Sequence, residues 1–301
     1  MEFKKVYMKM KSKVSLVKGE TRYECIFKSL KLIEDEIKRG VEGRRVIIKP
    51  NFVSVRNQLA ATHVEHVRAI LDFLTEFYEK EIIIAEGAAL GETEEGFRNF
   101  GFYELKKDYD VEFVDLNKDE YEVFYVVDER LNPVPIKVSK LMLSKDAYII
   151  SAAKLKTHDT VIVTLSLKNI VMGAILKEDK GKMHQGYKGT NLNIFLLSKF
   201  LKPSLASIDG FIGMEGNGPV SGTPIEVKVG IASTDFLAAE RIACEIMGIK
   251  PEDMEFLRYA KERYSGIIDL KNIEVCASNI ESFRRGDFII PSVQALSILS
   301  K

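Results

Sequence analysis

Residues 46–87 read VIIKPNFVSVRNQLAATHVEHVRAILDFLTEFYEKEIIIAEG. Two apolar runs, Val46-Ile47-Ile48 and Ile82-Ile83-Ile84-Ala85, flank a stretch in which Val67, Ile70, Leu71, Leu74 and Phe77 recur at helical spacing. A strand with no polar alternation is buried on both faces, as in a parallel sheet, and parallel neighbours need a crossover such as this helix. Pro50 stops the first strand, and Thr62-His63-Val64-Glu65 predicts a capping box at the helix start, Glu65 standing three residues after Thr62. The segment therefore predicts a βαβ unit.

The same alternation extends outward. Ile26, Leu30, Ile33 and Ile37 predict a helix over 20–39, and a polar helix over 93–100 leads to a strand at 111–114. After about residue 120, 121–127 and 134–138 read as extended segments around Asn132-Pro133, a hairpin or an edge insertion. Buried-type strands resume at 147–150 and 205–208, with a helix over 190–201. Residues 161–167 fit either an alternating strand or a short buried helix. Ile225, Val227, Val229 and Ile231 alternate as in a strand with one buried face; a helix then starts near Asp235, and Pro251 suits the first turn of a last long helix. The fold expected is α/β: a layered parallel or mixed sheet flanked by helices, one unit over 1–301, with two lobes near 1–120 and 140–301.

The chain has 301 residues, 46% hydrophobic and 29% charged, enough apolar material for a core and too much for disorder. Lys+Arg and Asp+Glu are both 44, which excludes a globally basic nucleic-acid coat. Met1-Glu2-Phe3-Lys4-Lys5 opens no signal-peptide run, and no window reaches the length of a membrane span, so a cytoplasmic protein is expected. Cys25, Cys244 and Cys276 are too scattered for a disulfide framework or a cluster motif, and Cys25 and Cys244 read as small buried hydrophobes. Abundant charge with no Trp suits a thermophile.

The zero net charge is a cancellation. Residues 92–130 hold thirteen acids and five bases, whereas residues 140–199 hold ten lysines and four acids, with His158 and His184 among them. Charge runs are usually solvated faces, but several of these lysines sit against apolar runs.

Lys49-Pro50-Asn51 closes the first buried strand, at the edge where open α/β sheets bind ligands. A proline turn with a Lys stem lying on apolar surface is the simpler alternative. Lys154-Leu155-Lys156-Thr157-His158 follows the strand at 147–150 to the same edge, and its cations, hydroxyl and imidazole suit a phosphate or carboxylate. Lys168 and Asn169 interrupt the apolar stretch 165–173; a buried Lys loses pKa unless an anion pairs with it, and the alternative is a Lys reaching water from an element end. His184 lies in the glycine-bounded loop 181–186, as a ligand, a proton shuttle or a plain loop residue. Asp209-Gly210 precedes Gly213-Met214-Glu215-Gly216-Asn217-Gly218-Pro219, where Gly213, Gly216 and Gly218 permit close backbone approach. Neither a Walker loop nor a dinucleotide fingerprint is formed, since no Gly-Lys-Ser/Thr ends the run and a strand follows it. Asp209, Glu215 and His184 are the candidate metal ligands. His63 and His66 have metal-ligand spacing but no third partner nearby, so a partly exposed helix surface is expected there.

In this order the motifs resemble domain-of-unknown-function family 362, over about residues 45–250. Members of that family often carry ferredoxin-type clusters; this chain lacks the cysteine motif, so the resemblance implies no cluster here. Lys168, Gly173 and His184 are also similar to the Lys…Pro-Gly…His stretch of nickel-pincer lactate racemases. There a Lys tethers the cofactor and a His sixteen residues later ligates nickel, the separation of Lys168 and His184, although Met172 stands where those enzymes have Pro.

The function expected is binding of an anionic small molecule in a Lys-, His- and Gly-lined cleft, with transfer or redox chemistry to follow. Lys168, His158, His184 and Asp209 are the catalytic candidates. Lys49, Asn51, Lys154, Lys156, Thr157, Asn169, Gly213, Gly216 and Gly218 are the binding candidates. A divalent metal is the cofactor these residues allow, and no nucleic acid or membrane is expected as partner. A nickel-pincer-type enzyme is one rival. A non-enzymatic scaffold, a homo-oligomer joined basic stretch to acidic stretch and sensitive to salt, is another.

Overall fold

The computed structural model describes residues 11–264, 269–277 and 288–289. The expectation drawn from residues 1–5 lies outside the described residues. The chain begins with β1 (Ser12–Lys18), α1 (Arg22–Lys31) and α2 (Glu34–Val41). One helix was expected here. The break falls at Leu32-Ile33, where Ile33 leaves helical geometry at φ −122° while remaining buried, so the apolar spacing carries on through the turn.

β2 (Arg45–Lys49), α3 (Val64–Thr75) and β3 (Ile82–Glu86) form the expected βαβ unit, with Ile47 beside Ile83 in parallel register. The capping box does not form. His63 is the N-cap and accepts from the Glu65 amide, while Thr62 turns inward, accepting from Asn51 N at 2.8 Å and donating to the Ala152 carbonyl at 2.7 Å. Thr62 thereby ties the loop after β2 to the strand that holds Ala152, the fifth strand after β2. α4 (Thr93–Asn99), β4 (Val111–Asp115), β5 (Tyr121–Val127) and β6 (Pro133–Ser139) follow, the last two pairing apart as a hairpin.

β7 (Ala147–His158) is twelve residues long and buried throughout, so the strand carries its own lysines. The ambiguous 161–167 stretch holds both of its readings: β8 (Ile162–Thr164) folds back on β7, and α5 (Ser166–Ala174) starts two residues later. α6 (Gly186–Leu197), β9 (Leu205–Glu215), β10 (Thr223–Ser233), α7 (Phe236–Met247), α8 (Glu255–Tyr264) and β11 (Ile273–Cys276) complete the order. β9 outruns its expected end, so Gly213 and Glu215 are strand residues. Pro251 sits in a separate 3-10 turn, Pro251–Asp253, ahead of α8.

The main sheet runs β11-β1-β10-β9-β7-β2-β3-β4, with β8 beside β7. Apart from short β8, only β10 opposes the rest. Side chains alternate along β7 between two cores: Ala147, Ile149, Ala153 and Leu155 face one, Tyr148, Ile150 and Ala152 the other. From β2 the chain steps outward through β3 and β4 on one side, then returns to lay β7 and β9 on the other. β2 and β7 therefore flank a topological switch point, whose carboxyl edge is the usual ligand position in such sheets.

Candidate functional site

β2 ends in Lys49 and β3 in Glu86, side by side at that edge. Lys49 is fully buried, and its Nζ donates to Glu86 Oε2, to the Pro50 carbonyl at 2.8 Å and to Asn169 Oδ1 at 3.1 Å. Burial lowers its pKa, against the opposing pull of Glu86. α5 leaves room for this ammonium only because residue 173 is glycine; a Cβ there would overlap Lys49 Cε and Nζ. Asn169, on the same helix, donates to the Lys49 carbonyl at 3.1 Å and to Ser151 Oγ at 3.0 Å. Its Oδ1 also accepts from Asn51 Nδ2 at 3.1 Å. Asn51 Oδ1 accepts from Lys156 Nζ at 2.6 Å, and Lys156 donates as well to the Ala60 carbonyl at 2.8 Å. One hydrogen-bonded chain thus crosses the switch point from Glu86 to Lys156.

Charge along this chain does not balance. Lys156 is buried with neutral partners, and burial, then repulsion from Lys168 and Lys154, holds its pKa far below the usual lysine value. Lys168, only 6% exposed on α5, has no hydrogen bond or ion pair among the described residues. Burial brings it down to about 8, with Asp159 pulling the other way. The ring of His158 lies parallel to that of His184, with centroids 6.3 Å apart. His158 is buried, its Nδ1 accepts from the Thr160 amide at 3.0 Å, and burial together with the Lys168 charge lowers it to about 3. His184 is more open to solvent and is lowered by burial and by the same lysine. Lys168, His158 and His184 therefore form one neighbourhood. Lys180 closes the C-terminus of α5, donating to the Met172 carbonyl at 2.8 Å and the Ile175 carbonyl at 2.6 Å; burial lowers it to about 7.

Asp209 belongs to a different cluster. It is the register partner of Lys154 on β7, and Arg22 Nε donates to it at 2.7 Å. Burial would raise its pKa, but Lys154 and Arg22 more than offset that and hold it low. Asp209 is thus a buried counter-ion. His66, expected on a partly exposed surface, is fully buried beside this pair, with Nε2 2.8 Å from Ser207 Oγ, and burial lowers it to about 4. Glu215 accepts from the Ile289 amide at 3.1 Å. Asp209, Glu215 and His184 thus have separate neighbours, and among the described residues no group of three or more His, Cys, Asp and Glu is placed to hold a metal ion.

The glycine-rich segment packs on the end of β7. Thr157 Oγ1 donates to the Gly216 carbonyl at 2.9 Å, the Asp159 amide donates to the Gly218 carbonyl at 2.9 Å, and a Cβ on Gly218 would overlap the Thr157 carbonyl. Gly213 pairs with Ile225 across β9 and β10. Asn57 closes the segment from the other side, donating to the Val220 carbonyl at 2.8 Å. The close approach that Gly213 and Gly218 permit is to the chain's own backbone, at the Leu155 and Thr157 carbonyls, whereas Gly216 takes a positive φ of 71° in open space.

Arg22, Glu86, Lys180 and Glu240 were not read from the sequence. Glu86 alone had a signal, as the carboxylate ending a buried apolar run. Glu240 on α7 accepts from the Leu167 amide at 2.7 Å at the start of α5, and burial raises it to about 8. Cys25 and Cys244 are buried free thiols, as expected. The acidic and basic stretches meet within the chain, at Lys177–Glu92 (2.8 Å) and Lys140–Glu120 (2.9 Å). Among the described residues no helix is long and apolar enough to cross a membrane.

A family model described as domain of unknown function (DUF362) matches residues 46–245. The thylakoid-associated protein sll1697 of Synechocystis sp. is 26% identical over 215 residues, 69% of this chain and 64% of its own length. The chain thus spans under two thirds of that relative. Among solved structures, the lactate racemase apoprotein of Thermoanaerobacterium thermosaccharolyticum aligns at TM-score 0.49 and 10% identity, covering 78% of this chain and 57% of that one. A Thermotoga maritima protein aligns at TM-score 0.43 and 17% identity, covering 76% and 60%.

Proposed function

The chain belongs to the DUF362 family, and on that premise we propose that it binds a small carboxylate or phosphate anion beside the β2–β7 switch point, with Lys156 and Lys168 as the charge partners. One observation carries this reading: two buried lysines repel each other and, among the described residues, neither forms an ion pair, Asp159 and Glu86 acting on them only at longer range. A buried ammonium without a counter-ion costs several kcal/mol or sheds its proton. A bound anion removes that penalty. Lys49 and Lys154 are already served by Glu86 and Asp209, so they hold the scaffold. His158 and His184, neutral beside Lys168, are placed to move a proton to or from the ligand. On this reading the ligand is a substrate, and the reaction is one on a carboxylate or phosphate compound. Isothermal titration with oxalate and with inorganic phosphate tests it. Lys168→Met and Lys156→Met are each expected to weaken binding about tenfold, roughly 1.4 kcal/mol. Unchanged affinity in both variants refutes the reading.

The convergence of Lys168, His158 and His184 also favours a second reading, a nickel-pincer-type enzyme with Lys168 carrying the group and His184 ligating the metal. Metal analysis and intact mass on protein from its native host decide it. Absence of both nickel and an adduct on Lys168 would exclude it.

A further inference from the structure

At the amino edge of the sheet, away from the switch-point site, a cavity of about 810 Å3 opens between α2, the starts of β2 and β7, and the turn into β9. Ligand cavities usually span roughly 300–1,000 Å3. Tyr148 of β7 lines this one. It is 2% exposed, and its hydroxyl is buried without a hydrogen-bond partner. Gly40, which also lines the cavity, stands against that hydroxyl, an ideal Cβ there lying 3.2 Å from the oxygen, and the charges of Arg44 and Glu36 reach it. A buried phenol that lacks an acceptor is destabilising, and an acceptor brought by a ligand removes that cost.

The rim adds charge. Arg39, Arg44, Lys145 and Lys202 line the cavity, are exposed, and make no ion pair or side-chain hydrogen bond among the described residues. The two acids of the lining are occupied: Glu36 accepts from Thr234 Oγ1 at 2.7 Å, and Asp235 caps α7 while accepting from Ser12. Phe200, 59% exposed, offers a ring at the same mouth. Four cations against two acids, an exposed aromatic ring and one unanswered phenol make a complementary set.

We propose that this cavity is a second binding site, for an amphiphilic anion: a flat apolar body bearing one acidic group, held by Arg44 and Lys202 and accepting a hydrogen bond from Tyr148. The site is independent of the switch-point lysines.

Fluorescence titration of the full chain with 8-anilinonaphthalene-1-sulfonate tests this, with far-UV circular dichroism checking that each variant is folded. Saturable one-site binding is expected, weakened about tenfold by the double charge reversal Arg44→Glu/Lys202→Glu and severalfold by Tyr148→Phe. Lys168→Met is expected to leave it unchanged, which separates this site from the other. Lack of saturable binding overturns the proposal, as does binding that ignores both the charge reversal and Tyr148→Phe, or binding lost in Lys168→Met.

Discussion

The ammonium of Lys49 occupies the space that a side chain on Gly173 would fill. This fixes an unusual sign. Gly→Ala inside a helix ordinarily stabilises by about 1 kcal/mol. In α5 the added methyl would expel Lys49 from Glu86, and breaking a buried pair costs roughly 3–5 kcal/mol. Gly173→Ala is therefore expected to destabilise the chain by a few kcal/mol in urea denaturation. In a Lys49→Met background the penalty is expected to shrink, giving a coupling energy above about 1 kcal/mol. A stabilised single variant would contradict the contact.

Lys168 has a pKa of about 8 where an ordinary lysine stands at 10.5. Its amine is thus half neutral near pH 8, while surface amines are almost wholly charged. Labelling with acetic anhydride, read by peptide mass spectrometry across pH, is expected to give Lys168 a midpoint near 8, well below the ordinary lysine value. Saturating oxalate is expected to raise that midpoint, because a nearby anion favours the charged form. An ordinary midpoint would remove the main electrostatic support for the anion reading.

Much of this was legible because burial writes itself as apolar runs. VIIK, IIIAE and AYII announced buried strands, and the carboxyl ends of the first and last pointed to Lys49 and to the lysines after Ile150. The partners of those lysines were not legible. Glu86 lies 37 residues from Lys49, Asn51 lies 105 from Lys156, and Arg22 lies 187 from Asp209. Periodicity reports which face a residue occupies, whereas these contacts depend on strand order, set when β7 crosses to the far side of β2. The glycines after Asp209 were ambiguous for a related reason. A run that lets backbone approach a ligand looks the same in sequence as one that lets it approach Thr157.

Asp209 was a candidate catalyst, and its surroundings predict something different. It serves Arg22 at 2.7 Å and faces Lys154, all three buried. Asp209→Asn removes the carboxylate that faces Lys154 and leaves Arg22 with only the half-exposed Glu65 at 3.5 Å, so a loss of roughly 3 kcal/mol is expected in denaturant. Any fall in anion affinity should follow the fraction folded. A stable Asp209→Asn chain with abolished binding would instead return Asp209 to the ligand site.

Glu240 and His66 give stability opposite slopes with pH. Glu240 is raised from an ordinary 4.5 to about 8, so between those values the folded chain holds a proton that the unfolded chain releases. Its contribution is full below about pH 4.5 and is lost as pH rises towards 8. His66 is lowered from 6.5 to about 4, so its contribution is full above 6.5 and is lost as pH falls towards 4. Lys180, lowered to about 7, opposes Glu240 above that pH, so the wild-type profile alone mixes the two. The difference between wild type and Glu240→Gln isolates the carboxyl. The variant is expected to gain on wild type by up to about 1.4 kcal/mol per pH unit as pH rises from 5 to 8, the slope set by one proton. His66→Gln should gain instead as pH falls below 6.5, with no change between 7 and 8, since the unfolded imidazole is already neutral there. Urea midpoints taken across pH 4–8 read both trends, and parallel curves for wild type and Glu240→Gln would show that Glu240 is ionised in the fold.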